Sequence, residues 1–469
     1  MPRSTCRLAS WTECIRDPLG RSPLDTTCYR HLADFDGLFV SQRCLKARAQ
    51  TSTMARVAFV ETYPYAAAWG GDAVYLDRIR GFLTARGHSV DSYVTDVTRG
   101  RSNPFIRLRG QAGPNHRWIV RNSIVRGDQR FLALEPRLLR KAVKLGPGSS
   151  ADRKHAVHKD EARWVIARLS ANPPDLVILA FDACQFTAPL LALGIPVIAL
   201  KGFFSDRRIR LGAPDTSQPS PDKSLLDDLR QASCAGFNNV QDLRYYEQMT
   251  GARNGALIGM GFPSRPRAPA RSEPVVLFVG ARTKPNIESL RWFLDHAWPA
   301  VRLAAPEARL RIVGTVAGAV AEMASEHVET VGFAEDLETE YRGARAVIAP
   351  LTVGSSGVKT KVAEALSFGC PVVTTSLGVD PGDPMQFGEA VEVADEPAAY
   401  AAAVVRLLTD DALRTRREEQ TLIAFRQHFS EEAAYAALIA LLGSIPPAGH
   451  RTRSSGRTRM KTSAAVARG

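Results

Sequence analysis

PLTVGSSGVKTKVAEALSFGCPVVTT, residues 350–375, sets a Gly/Ser turn directly before an amphipathic helix and closes on a short Val-rich strand. Ser355, Ser356 and Gly357 offer N-cap chemistry and close backbone approach. The first free N–H groups of the helix, at Ser356, Gly357 and Val358, are therefore expected to point into a cleft suited to a diphosphate. Lys359 and Lys361 add positive charge there. Val358, Val362, Ala365 and Leu366 recur at helical spacing as a buried stripe, and Gly369 stands where a left-handed residue would stop the helix. Glu364 stands apart from that pattern. It follows Gly357 by two helical turns, about 10 Å at about 1.5 Å per residue, so it could hold ribose hydroxyls while the helix mouth holds the diphosphate and sugar. Ordinary capping with a solvated Glu364 fits the same turn, and the stretch alone leaves both readings open.

Its surroundings carry more. Val276-Leu277-Phe278-Val279-Gly280 reads as a strand, followed by Pro285-Asn286 and by Trp292-Phe293 through Trp298-Pro299 on a helix, and Val331-Gly332-Phe333-Ala334-Glu335-Asp336-Leu337 comes later. Together with Gly354 to Thr375 these segments resemble, in content and order, the C-terminal domain of family 4 glycosyltransferases of the GT-B fold, in a subgroup with a GSG-V-K-T-K turn. The resemblance spans about residues 270–410 well and Met54 to Val90 loosely. It implies an α/β protein, two Rossmann-like parallel-sheet domains facing across a cleft. It further implies a nucleoside-diphosphate sugar as donor, a hydroxyl acceptor, retention of configuration, and no cofactor or metal.

Residue by residue, the resemblance assigns donor binding to Ser356, Gly357, Val358, Lys359, Lys361 and Glu364, with Glu364 on the ribose. The family's paired glutamates stand eight positions apart, and here the first of that pair is Ser356. The family's basic pair after the first strand of this domain is not matched position for position, and Arg282 and Lys284 are the nearby basic candidates for the donor. Gly70 and Gly71 fall on the glycine loop that faces the interdomain cleft. Where relatives often carry His-Asp after a strand of the first domain, this chain has Lys201-Gly202, so no catalytic residue carries over.

At 469 residues the chain exceeds what one core usually covers, and two domains are the default. Aliphatic runs of five or six residues alternate with helical segments, the pattern of parallel sheets buried on both faces. No apolar run approaches the roughly 18 residues of a spanning helix. The net charge of +13 is uneven: residues 443–469 hold six basic residues and no acid, and residues 1–53 add +3, leaving +4 for the body. A folded nucleic-acid surface is poorly supported by that distribution. The Ser/Thr/Arg tail is expected to be disordered, a solvated extension or a peripheral contact with anionic headgroups, and the protein cytoplasmic or at the inner membrane face.

Cys6, Cys14, Cys28 and Cys44 precede residue 54, none falls in a CxxC pair, and Cys184, Cys234 and Cys370 fit reduced, buried small hydrophobes. Residues 1–53 lack the apolar core of a signal peptide. The first convincing strand, Arg56 to Val60, begins just after Met54, which would serve as a start. From there the chain reads as an acceptor domain over 54–263, a nucleotide-sugar domain over 264–430, a closing helix over 431–442 and the tail over 443–469. In the first domain a helix capped by Asp72 turns Val74, Tyr75, Leu76, Ile79, Phe82 and Leu83 inward, and His88 marks a structural corner before the strand Ser89 to Val94. No GxGxxG fingerprint follows the first strand, so a tightly held dinucleotide is not indicated. Further strands are expected at Leu176 to Ala180, Pro196 to Leu200 and Cys234 to Asn238. The Arg-rich region 99–162 reads as helices and acceptor loops, with Arg107, Arg109, Arg117, Arg121 and Arg126 either a solvated basic face or ligands for a glycan, lipid-linked or small-molecule acceptor. Two other classes share these features: a GT-B sugar-nucleotide epimerase or phosphorylase, and a catalytically silent nucleotide-sugar-binding protein.

Overall fold

A computed structural model describes residues 54–62, 71–95, 115–121, 123–126, 129–132, 159–201, 208–210, 223–265, 273–334, 336–355, 359–379 and 384–445. The strands are β1 Arg56–Glu61, β2 Ser89–Val94, β3 His116–Val120, β4 Ser123–Arg126, β5 Gln129–Leu132, β6 Leu176–Ala180, β7 Val197–Lys201, β8 Arg208–Arg210, β9 Cys234–Phe237, β10 Gly255–Leu257, β11 Val275–Val279, β12 Arg309–Val313, β13 Val328–Gly332, β14 Ala346–Ala349, β15 Val353–Ser355, β16 Val372–Thr374 and β17 Val391–Val393. They form a seven-stranded sheet ordered β10-β9-β7-β6-β1-β2-β3 and a six-stranded sheet ordered β13-β12-β11-β14-β16-β17. Every pairing within these two sheets is parallel. The α/β class of two parallel-sheet halves expected from the aliphatic runs is what the chain adopts. Central strands show why: all of Leu176–Ala180 and Ala346–Ala349 is buried, as strands covered by helices on both faces must be.

Helices pack on both sheets, among them α1 Gly71–Ala85, α2 Lys159–Ala171, α3 Val240–Thr250, α4 Lys284–Trp292, α5 Leu337–Gly343, α6 Thr360–Ser367, α7 Pro397–Thr409, α8 Asp411–Ala424, α9 Glu431–Ala434 and α10 Ala436–Ser444. Region 99–162 departs from the expectation of helices and loops. It supplies β3 as the edge of the first sheet, in register with β2 from Val90↔His116 to Val94↔Val120, and the antiparallel β4–β5 hairpin.

The inner face of α1 carries one charge that the apolar spacing did not foretell. Arg80 is fully buried and pairs with the equally buried Glu61, and it also donates to Asp77 at 2.5 Å and Ser92 Oγ at 3.1 Å. Its guanidinium lies over the rings of Phe59 and Trp118 at 5.1 and 4.9 Å. Burial pulls the Arg80 pKa down to about 9. Such a charge persists in a core only with partners on several sides. His88 is the structural corner it was expected to be: it is buried, and its Nδ1 accepts the Ala55 N–H at 3.1 Å. Cys184, Cys234 and Cys370 are buried thiols.

Asn239 caps α3 by accepting the Asp242 N–H at 2.8 Å, and Gly251 ends that helix at φ +64°. Its amide also donates to the buried Asp242 carboxylate at 2.7 Å. Asn239→Ala is therefore expected to cost about 1–2 kcal/mol of stability, measured by chemical denaturation of the two proteins side by side.

After the second sheet the chain returns to the first. Phe262 N–H donates to Phe429 O at 2.8 Å, Gly259 N–H to Ala434 O at 3.0 Å, and Gly261 N–H to Tyr435 Oη at 3.3 Å. The Tyr435 ring lies 4.6 Å from that of Phe82 on α1. The run 431–444 is broken at Tyr435 into two helices, because that residue leaves the helical region at ψ 16° to make these contacts.

Candidate functional site

The two sheets are brought together by the N-termini of α1 and α6. Gly71 opens α1, and a Cβ built there would stand 2.8 Å from Oγ1 of Thr360, the first residue of α6. Glycine is what lets two helix mouths approach this closely, and both dipoles then offer N–H groups and partial positive charge to one place. A second tie lies beside it, where β8 from the first half pairs antiparallel with β15 from the second, Arg208↔Ser355 to Arg210↔Val353.

The helix at the heart of the opening sequence stretch starts later than its Gly/Ser turn suggested. Ser355 belongs to β15, Lys359 is the N-cap residue in an extended conformation, and helical backbone begins at Thr360. Ser355 therefore does not cap the helix: its backbone is committed to the ladder with β8. Ser356, Gly357, Val358 and Gly70 lie outside the described residues. The rest of the helix follows its sequence, with Val362, Ala365 and Leu366 fully buried and Gly369 left-handed at φ +66°. Asp72 likewise sits inside the first turn of α1 and not at its cap, since helical backbone already begins at Gly71.

Lys361 and Glu364 turn to opposite neighbours on α6. Lys361 Nζ donates to Asn286 Oδ1 at 2.8 Å and lies 4.3 Å from the centroid of the Phe278 ring. Asn286 in turn donates to Ala281 O at 2.9 Å, so the turn after β11 carries the lysine. Burial, with Lys359 nearby, brings the Lys361 pKa down to about 7. The same turn is crowded against the end of β12: Gly314 has φ +103°, and a Cβ on it would stand 2.3 Å from Gly280 O. Only glycine fits there. Arg282 and Lys284 flank this turn but are exposed. Arg282 offers its backbone N–H to Thr315 Oγ1 at 2.8 Å, and Lys284 pairs with Glu288 at 3.6 Å.

Glu364 Oε2 accepts the hydroxyl of Tyr341 at 3.1 Å, and Tyr341 is fully buried. Burial raises the Glu364 pKa, against the opposing pull of Arg78, the Tyr341 hydrogen bond and Arg265. Arg78 comes from α1, so a side chain of the first half biases a carboxylate of the second. Neither Tyr341 nor Arg265 stood out in the sequence. Tyr341 falls in the apolar phase of a short helix, and Arg265 in the Pro/Arg-rich stretch at the expected boundary between the two domains.

On the first sheet, the register Glu61↔Ala180 and Ala180↔Leu200 aligns the C-terminal ends of β1, β6 and β7. Lys201 and Asp182 follow directly, and Asp72 on α1 is close enough to feel both. Burial raises the Asp72 pKa, Lys201 lowers it and Asp182 raises it. Phe181, between β6 and Asp182, holds φ +50°, an unusual conformation for an aromatic residue and a sign of local constraint. Arg117 is not an open anion ligand, because both oxygens of Asp91 receive its guanidinium at 2.7 Å. Arg121 gives its backbone N–H to Val94 O at 3.1 Å, extending the β2–β3 edge. Arg107 and Arg109, and the side chain of Arg126, lie outside the described residues.

Among the described residues no three His, Cys, Asp or Glu side chains gather as metal ligands, and no helix is long and apolar enough to cross a membrane.

Comparison with known proteins agrees with this geometry. Residues 273–410 match the family model described as Glycosyl transferases group 1. A stretch of 141 residues is 28% identical to an uncharacterized 44.6 kDa protein in the cps region of Klebsiella pneumoniae, and the match spans 28% of this chain and 36% of that protein. In structure the chain is similar to Anabaena HepE in complex with UDP, at TM-score 0.56 and 14% identity over 83% of this chain and 100% of the other. It is also similar to a mutant of S. aureus TarM in complex with fondaparinux, alpha-GlcNAc-glycerol and UDP, at TM-score 0.58 and 9% identity over 83% and 100%. Sucrose-phosphate synthase from Thermosynechococcus elongatus aligns at TM-score 0.54 and 17% identity over 82% and 98%. The chain thus has the GT-B fold, and its residues 273–410 match the family model for glycosyl transferases group 1.

Proposed function

We propose that the protein transfers a sugar from a nucleoside diphosphate to a hydroxyl of a glycan, lipid-linked or small-molecule acceptor, with retention and without a metal, as a family 4 enzyme of the GSG-V-K-T-K subgroup. The observation that carries this reading is the meeting of the α1 and α6 N-termini at Gly71 and Thr360, with Lys361 and Glu364 on the same helix. Helix mouths and an ammonium suit a diphosphate, and a half-buried carboxylate suits a ribose diol.

In this mechanism the anomeric carbon–phosphate oxygen bond breaks as the acceptor oxygen bonds to the same carbon from the same face. The acceptor proton passes to an oxygen of the departing diphosphate, so no protein base is required. The chain's part is to stabilise the growing negative charge on the diphosphate through the helix N-termini and Lys361, and to orient the donor through Glu364. Asp72, Asp182 and Lys201 line the opposing edge, where an acceptor would rest. Arg282 and Lys284 would serve as mobile cations at the rim.

Because HepE and TarM were both crystallised with UDP, UDP is the first probe. A thermal-shift series with UDP, GDP, ADP and dTDP in the absence of metal should raise the melting temperature by several degrees with one nucleotide, as ligand at about 100 times Kd stabilises by about 2.7 kcal/mol. No shift with any of the four would overturn the donor site. Release of nucleoside diphosphate from the matching sugar only when a hydroxyl acceptor is added distinguishes transfer from epimerase chemistry and from silent binding.

A further inference from the structure

We infer that Arg265, in the segment joining the two sheets, is a positioning residue that acts through the Phe368–Tyr341 stack to orient the Glu364 carboxylate for the ribose of a nucleotide donor; the inference rests on the donor reading above. The Arg265 guanidinium lies 3.6 Å from the centroid of the Phe368 ring, and Phe368 stacks on Tyr341 at 4.6 Å with 12° between the planes. Tyr341 donates its hydroxyl to Glu364 Oε2. Arg265, Phe368 and Tyr341 are thus one stacked assembly with Glu364 at its edge, and Glu364 Oε1 has no hydrogen bond among the described residues. Arg265 Nη1 is buried and has no hydrogen-bond partner among them either.

A guanidinium fixed flat against a ring keeps its N–H groups in one plane, so its field on a nearby carboxylate has a set direction. That field matters because burial favours a protonated Glu364, and a protonated carboxyl would have a donor where ribose hydroxyls need an acceptor. The charged groups that bear on Glu364 are Arg78 from α1 and Arg265 from the joining segment, with the Tyr341 hydroxyl from α5. Arg265 itself also feels Glu338. Arg78 lies 4.9 Å from the centroid of the Phe262 ring, and Phe262 is anchored to Phe429. Arg265 follows Phe262 by three residues, and Arg78 of the first half bears on the same Glu364 carboxylate.

The test is calorimetric binding of UDP and of 2′,3′-dideoxy-UDP to the full-length protein and to Arg265→Gln, Arg265→Lys, Glu364→Gln and the Arg265→Gln/Glu364→Gln double variant. Arg265→Gln is expected to weaken UDP about 5- to 20-fold, yet to change 2′,3′-dideoxy-UDP less than about twofold, and to add less than about twofold in the Glu364→Gln background. Arg265→Lys keeps a charge without the planar stack and should weaken UDP in the same direction by a smaller factor, which guards against a folding defect in the Gln variant. Equal loss for both nucleotides, equal loss with and without Glu364, or no loss at all, while Glu364→Gln still weakens UDP, overturns the role of Arg265 alone. If the unsubstituted protein binds none of UDP, GDP, ADP and dTDP, or if Glu364→Gln leaves nucleotide affinity unchanged, the donor reading falls and this inference with it; binding of one of the other three in place of UDP moves the same series to that nucleotide and its 2′,3′-dideoxy form.

Discussion

Lys361→Met is expected to lower kcat about 100- to 1,000-fold, the usual cost of removing one preorganised group that meets charge developing in a transition state. The lysine is held from two sides: its ammonium donates to Asn286 Oδ1 at 2.8 Å and faces the Phe278 ring. Methionine preserves most of the volume and the contact with Phe278, so loss of fold is not the expected cause of lost rate. The measurement is steady-state turnover with saturating donor, alongside UDP affinity; turnover within threefold of the parent would remove Lys361 from the site. Its pKa of about 7 adds a directional prediction. A dianionic ligand binds the charged lysine, and above pH 7 that lysine must first take up a proton, so its contribution to UDP affinity should shrink as pH rises through about 7. The ratio of affinities of the unsubstituted protein and Lys361→Met isolates this effect, because ionisation of the nucleotide itself is common to both.

Glu364→Ala is expected to weaken UDP by about 1.5–3 kcal/mol, roughly 10- to 150-fold, as hydrogen bonds from ribose hydroxyls to a charged acceptor are lost. The loss is confined to the ribose: inorganic diphosphate should compete equally well with either protein. Burial raises the pKa of this carboxylate. Affinity of the unsubstituted protein should accordingly fall on acidification, beginning above the pH at which an exposed glutamate titrates, whereas Glu364→Ala should lack that limb. Isothermal titration across pH 4.5 to 8 would show it, and identical profiles for the two proteins would place the ribose elsewhere.

How far these residues were readable from the chain differs from one to the next for physical reasons. Lys361 and Glu364 stand inside a strongly periodic helix, Thr360–Ser367, where the apolar stripe Val362, Ala365 and Leu366 sets the charged groups apart. Gly71 was legible as part of a glycine loop, but its need for glycine lies in Thr360, 289 positions away, and sequence contains no trace of that encounter. The helix start was misplaced for the same reason. Ser355 has good capping chemistry, yet a ladder with Arg208 on the opposite half claims its backbone first. Arg117 looked like one of several open basic groups until β3 laid it against Asp91 on β2. Arg80 drew no reading from the sequence because apolar spacing cannot register a buried cation, which is admitted only where Glu61, Asp77 and Ser92 converge on it.

The strands named from the sequence, by contrast, come close to their expected bounds, among them Arg56–Glu61, Leu176–Ala180 and Val275–Val279. The class of the protein was thus written in its residues: aliphatic runs of strand length between amphipathic helices bury their surface as parallel sheets under helices, and that preference is local and repeated along the chain. The partnerships of residues far apart in sequence came from the folded molecule: Gly71 with Thr360, Lys361 with Asn286, Tyr341 with Glu364, and Arg265 with Phe368. The first arises where the two halves meet and the others where separate helices and connections pack together, and the energy of such packing belongs to surfaces that do not exist until the chain has folded.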